Sequence, residues 1–234
     1  MEKEIFRWST DRALSKWHFE GSGRLSIDGG GNFVVETYGE PAPSKTSTSW
    51  LRDVELPDNF IVEWTFKSDV VSSLMLLFNA VPLNCRSIFE DPRINAIYSD
   101  LNTKRTMTLH SVGFNRGTSG RKSVLRKFSG DVPDEVVGAK RGVSPWWDHH
   151  DRVTRISEHP EPYGAEGIGH WHDFKLIREA NNMKFFADGV KVHDVDDVLQ
   201  YPYSDTVLKN GKMAIRNFDG PSVDVFSEIA VKAI

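Results

Sequence analysis

Apolar and polar residues alternate with a period of two through much of the chain. Phe60-Ile-Val-Glu-Trp-Thr-Phe changes face residue by residue, which predicts a half-buried strand. Leu74-Met-Leu-Leu-Phe is short and continuously apolar, which predicts a strand covered on both sides. Further strand-like runs occupy Phe33 to Thr37, Ser73 to Ala80, Thr106 to Phe114, Lys212 to Asn217 and Val223 to Lys232. Gly and Pro punctuate the junctions, as in Asp28-Gly-Gly-Gly, Gly39-Glu-Pro and Asp219-Gly-Pro. With no βαβ alternation and no internal repeat, the pattern predicts an all-β, antiparallel sandwich over residues 1–234 as one domain.

The clearest local signal runs from Gly169 to Asp194 and reads as two consecutive hairpins, one turning at Asn181-Asn182 and one at Asp188-Gly189. The hairpin's aromatic residues, Trp171, Phe174, Phe185 and Phe186, are expected to pack into the core, with His170 and His172 on the opposite face from Trp171. Residues 117–167 break the rhythm. They are rich in Arg, Lys, His, Pro and Gly, which predicts a long loop excursion, with a short helix around Pro133 to Val137.

Composition narrows the function classes. A 234-residue chain with 39% hydrophobic residues can bury a substantial core. A net charge of −4 offers no footprint for nucleic acid. The lone Cys85 excludes an intramolecular disulfide and a cysteine-rich zinc site. No secretory leader or membrane-spanning run is visible, so the expected location is cytoplasmic unless the chain is a processed form.

Three phrases carry a family likeness: Trp171-His172-Asp173-Phe174 opening a strand, Phe186-Ala187-Asp188-Gly189-Val190 at a turn, and the closing Ile215-Arg216-Asn217-Phe218 with Val223-Asp224-Val225-Phe226 and Ile229. On these the chain resembles the concanavalin A-like lectin/glucanase superfamily, which implies a jelly-roll sandwich and a carbohydrate ligand. Within it, Leu125-Arg126-Lys127 after the strand bearing His110 is similar to the YesU-like bacterial family. The Glu-x-Asp-x-x-Glu of the superfamily's retaining glucanases is absent, which weakens a double-displacement reading.

Candidate chemistry follows from residue type and position. Alternation puts Thr108, His110 and Val112 on one face, expected to be the sugar-binding groove, where His110 would act as acid or base. A structural histidine is the competing reading. Arg126 joins it as a catalytic clamp on a substrate carboxylate, and Arg116 as a binding residue, since guanidinium forks suit uronates. A solvated basic loop is the competing reading there. Asn79, Trp146, Trp147, His149 and His150 complete the expected sugar contacts, the tryptophans as stacking platforms. No cofactor and no catalytic metal is expected; Asp224 and Glu228 are candidates for a structural calcium site, against ordinary exposed acids. The resulting expectation is a protein acting on an acidic, uronate-containing oligo- or polysaccharide by β-elimination or hydrolysis. The alternative is a non-catalytic carbohydrate-binding module.

Overall fold

The computed structural model describes residues 2–39, 46–70, 73–83, 87–90, 107–117, 120–130, 153–160, 168–197, 207–218 and 220–234. Among them are β1 (Lys3–Arg7), β2 (Trp17–Gly21), β3 (Gly23–Ile27), β4 (Phe33–Thr37), β5 (Thr46–Leu51), β6 (Phe60–Ser68), β7 (Ser73–Pro82) and β8 (Met107–Gly117). The series continues with β9 (Gly120–Ser129), β10 (Val153–Pro160), β11 (His172–Glu179), β12 (Asn182–Ala187), β13 (Val190–Asp196), β14 (Lys212–Phe218) and β15 (Ser222–Ala233). They form two antiparallel sheets. The first runs β13-β12-β11-β6-β15-β4-β3, with β1 also paired to β15; the second runs β10-β9-β8-β7-β14-β5-β2.

The sheets face each other across an aromatic core. Trp64 stacks on Phe174 at 5.3 Å and Phe174 on Phe185 at 5.8 Å, while Phe33 lies 4.6 Å from Trp17 across the sandwich. The side chains of β7 divide by parity, as the apolar run predicts. Leu74, Leu76 and Phe78 join this inter-sheet core, and Met75 and Leu77 join a second cluster on the outer face of the second sheet with Trp50, Leu109, Phe128 and Ile88.

The hairpins at 169–194 form, with three differences from expectation. The first turn is centred on Ala180-Asn181, since Glu179 pairs with Asn182. Ala180 adopts φ 53°, a left-handed conformation stabilised by its N–H donating to Asn59 Oδ1 at 2.6 Å. Trp171 is 43% exposed instead of buried, with Lys67 Nζ 4.8 Å from its ring centroid, and His172 takes the inward position. Phe186 is on the outer face of the first sheet, not in the core. The second turn has Asp188 and Gly189 both at positive φ, as a two-residue hairpin requires.

Two strands replace parts of the expected excursion. The basic stretch around Arg121 to Lys127 is β9, paired residue for residue with β8, and β10 pairs with β9 in turn. Pro133 to Val137, Trp146, Trp147, His149 and His150 lie outside the described residues, as does the Arg116 side chain.

Candidate functional site

The period-two alternation of β8 assigns His110 correctly to the face of Val112, but that face is the inter-sheet interior, not an outer groove. Arg126, on the neighbouring strand, belongs to the opposite face, with Val124 and Phe128. His110 and Arg126 therefore do not converge on one substrate. Asn79 is also interior. It sits at φ 50° in a β-bulge, donates to Lys209 O at 2.9 Å and accepts from Arg178 at 2.9 Å, so its side chain is consumed by the scaffold.

His110 belongs to a buried ionic cluster that joins the sheets. Asp197, just beyond β13, lies 3.1 Å from Lys127 Nζ and 3.9 Å from Arg178 NH2. His110 Nε2 stands 3.2 Å from the same carboxylate without the alignment of a hydrogen bond, its ring stacked 5.2 Å from Phe78. Burial pushes the His110 ring and the Arg178 guanidinium below their ordinary values. Burial opposes charge on Asp197, but His110 and Lys127 hold it well below the usual carboxylate range. Nearby, His193 bridges Ser123 and Ser157 at 2.9 Å each, and burial together with His159 pushes it down to about 3. The cluster is sealed from solvent and ties β8 and β9 to β11 and β13.

At the other end of the interior, Asp224 accepts bonds from Asn217 and Ser222, whereas Glu228 pairs with Arg7 on the outside of the first sheet. A bulge between Phe226 and Glu228 intervenes, so the two acids do not share a site. Among the described residues no three His, Cys, Asp or Glu side chains are grouped to hold a metal.

The outer face of the second sheet is where the remaining polar chemistry collects. Strand register sets it out in two cross-strand rows: Glu20, Thr48, Arg216, Met75, Gly113, Val124; and His18, Trp50, Ala214, Leu77, Ser111, Arg126. The middle of this face is buried. Its β2 end is partly open, where the side chains of His18 and Glu20 keep 29% and 15% of their exposure. There Arg52 donates to His18 Nδ1 at 3.2 Å, which leaves the proton on Nε2 to donate to Glu20 Oε1 at 3.2 Å. Trp50 Nε1 donates to the other carboxylate oxygen at 3.2 Å. Burial pushes the Glu20 carboxyl above its ordinary value, against the opposing pull of Trp50, His18 and Arg216. Phe89 packs edge-on against His18 at 5.2 Å and beneath Arg52 at 5.8 Å. A carboxyl with a raised proton affinity, among an indole, an imidazole and guanidinium groups, is the kind of convergence that marks a ligand site.

Sequence reading missed Glu20, Trp50 and Arg216. His18-Phe-Glu20 does carry a two-residue polar alternation, but β2 is too short to stand out, and only the register brings these three side chains together.

No family model and no curated protein sequence matches the chain. Solved structures do. The chain is similar over 100% of its length to 99% of a protein of unknown function with a galectin-like fold from Bacillus subtilis, at TM-score 0.72 and 20% identity. It is similar to the non-specific endo-β-1,3(4)-glucanase SCLam of family GH16 at TM-score 0.57 and 10% identity, covering 99% of this chain and 91% of that one. With the lumenal domain of VIP36 in its calcium- and mannose-oligosaccharide-bound form the values are 0.56 and 10%, over 95% and 85%. The chain thus has the galectin-like, concanavalin A-like sandwich fold, which these carbohydrate-binding and glycoside hydrolase structures share.

Proposed function

We propose that the chain binds an acidic carbohydrate on the outer face of the second sheet, entering from the β2 end. The observation that carries this is the meeting of Glu20, His18 and Arg52 at the partly open β2 end, with the buried Trp50 and Arg216 behind them. His18 offers ring surface, the Glu20 carboxyl is an acceptor for sugar hydroxyls, and the exposed Arg52 guanidinium suits a uronate carboxylate. We also place the chain nearest the YesU-like family, on the Leu125-Arg126-Lys127 phrase.

Binding without turnover is favoured over elimination or hydrolysis. Elimination needs a base beside the carboxylate clamp, and His110 is enclosed on the other side of the sheet from Arg126. Hydrolysis by paired carboxylates needs a second acid near Glu20. Among the described strand residues of this face the other carboxylate is Glu158, at the β10 edge and paired with Lys122.

Calorimetric titration with oligogalacturonate and oligoalginate hexasaccharides tests the reading. Saturable binding is expected, weakened at least tenfold by Arg52→Met and by the milder Glu20→Gln. Cleaved product by mass spectrometry, or rising absorbance at the wavelength of an unsaturated uronate, would show turnover and reject the non-catalytic version. Failure of every acidic probe to bind would reject the ligand class.

A further inference from the structure

The opposite surface of the molecule has a groove of its own. Across the outer face of the first sheet runs a depression of about 580 Å³ lined by Glu63, Thr65, Asp173, Lys175, Phe186 and Glu228. Register explains the grouping: Glu228, Thr65 and Asp173 are cross-strand partners on β15, β6 and β11, and Glu63, Lys175 and Phe186 form the adjacent row on β6, β11 and β12. Ile177, two residues beyond Lys175, extends the apolar strip made by Phe186. Trp171, two residues before Asp173, stands on the same face beyond the end of the groove.

Two of the groove's three carboxylates are in ion pairs. Glu63 bonds Lys175 at 2.9 Å and Lys232 at 2.7 Å, and Glu228 bonds Arg7. Asp173 Oδ1 accepts from Thr65 at 2.6 Å. These pairings fix all three carboxylates and offset the charge of Glu63 and Glu228. Asp173 and Glu228 each use one oxygen in these bonds, which leaves the other as an oriented acceptor. Acceptors of fixed direction beside an aromatic strip suit a ligand with hydroxyl donors on one edge and C–H groups on its face.

We infer that this groove is a second carbohydrate site, specific for neutral oligosaccharide, on the opposite side of the sandwich from the acidic-sugar face. The sugar ring lies on Phe186, with hydroxyls donating to Asp173 and Glu228, and a longer chain reaches Trp171. The inference rests on the groove alone and does not require the acidic-sugar reading. A chain with both sites would bridge two glycans.

Calorimetry of the full chain with cellohexaose, laminarihexaose and mannohexaose, each at millimolar concentration, tests it. At least one is expected to bind, with Phe186→Ser and Asp173→Asn each weakening it at least tenfold. The two groove variants lie on different strands, and an unaltered melting temperature identifies those that still fold. Absence of binding across all three probes, or binding that survives the folded groove variants, would overturn the proposal. Loss of acidic-glycan binding with the neutral site intact would instead count against the other face.

Discussion

Replacing Asp197 by Asn should be among the most damaging single changes available in this molecule. Its carboxylate is fully buried and stands between two cations, Lys127 Nζ at 3.1 Å and Arg178 NH2 at 3.9 Å. At an effective dielectric of about 20, those distances correspond to attractions of about 5 and about 4 kcal/mol. The variant recovers part of this, because the carboxylate no longer has to be desolvated. What remains is two buried positive charges that have lost this carboxylate, and breaking a buried pair in that way costs about 3–5 kcal/mol. For a chain of this length that is a fall of about 6–20 °C in melting temperature. Urea unfolding at pH 7 followed by tryptophan fluorescence would measure it, with Lys127→Met and the double variant completing a cycle. The Asn substitution should cost less in the Lys127→Met background, by at least about 1.5 kcal/mol. A loss under about 1 kcal/mol, or strictly additive effects, would refute the view that ionic attraction joins the sheets at this point.

The buried histidines predict acid sensitivity of definite sign. His193, at about 3, stays neutral in the folded chain and His110 is depressed in the same direction, while unfolded histidines take up protons below about 6.5. Stability is therefore full above that pH and declines as pH falls, by up to about 1.4 kcal/mol per pH unit for each ring, and His193→Gln should remove one ring's share of the slope in urea titrations between pH 7 and 4.5. Below pH 4 Asp197 adds to the loss in the same direction, because its folded value is also depressed. Gly113→Ala would place a methyl 2.1 Å from Leu74 O and 2.7 Å from Met75 Cα, and since backbone cannot yield as a side chain would, a loss of about 1–3 kcal/mol is expected in the same assay.

Much of the sandwich was legible because its strands carry strong patterns. Leu74 to Phe78 announced a strand covered on both sides, and the Asp188-Gly189 turn announced its hairpin. β9 was concealed by Arg126 and Lys127, whose charges suggest solvent although both are buried, one on each face of the sheet. Alternation told which residues share a face with His110 but not whether that face looks inward, because Val112 and Phe114 would suit either an interior or a covered outer surface. Trp171 misled for the converse reason: its ring is satisfied by Lys67 at the surface, a contact between strands that sequence order does not reveal. The Glu20, Trp50 and Arg216 grouping was invisible for a related reason. Its members come from three strands far apart in the chain and become neighbours only through register.

The position of β15 in the first sheet bears on how the molecule is made. It pairs with β1, β4 and β6, yet follows each of the other described strands in order of synthesis. Until it leaves the ribosome, β4 and β6 each wait with an unfilled edge and β1 has no partner in the sheet. The first sheet is thus completed by a late insertion, and the partly built chain depends on protection from association for as long as that insertion takes.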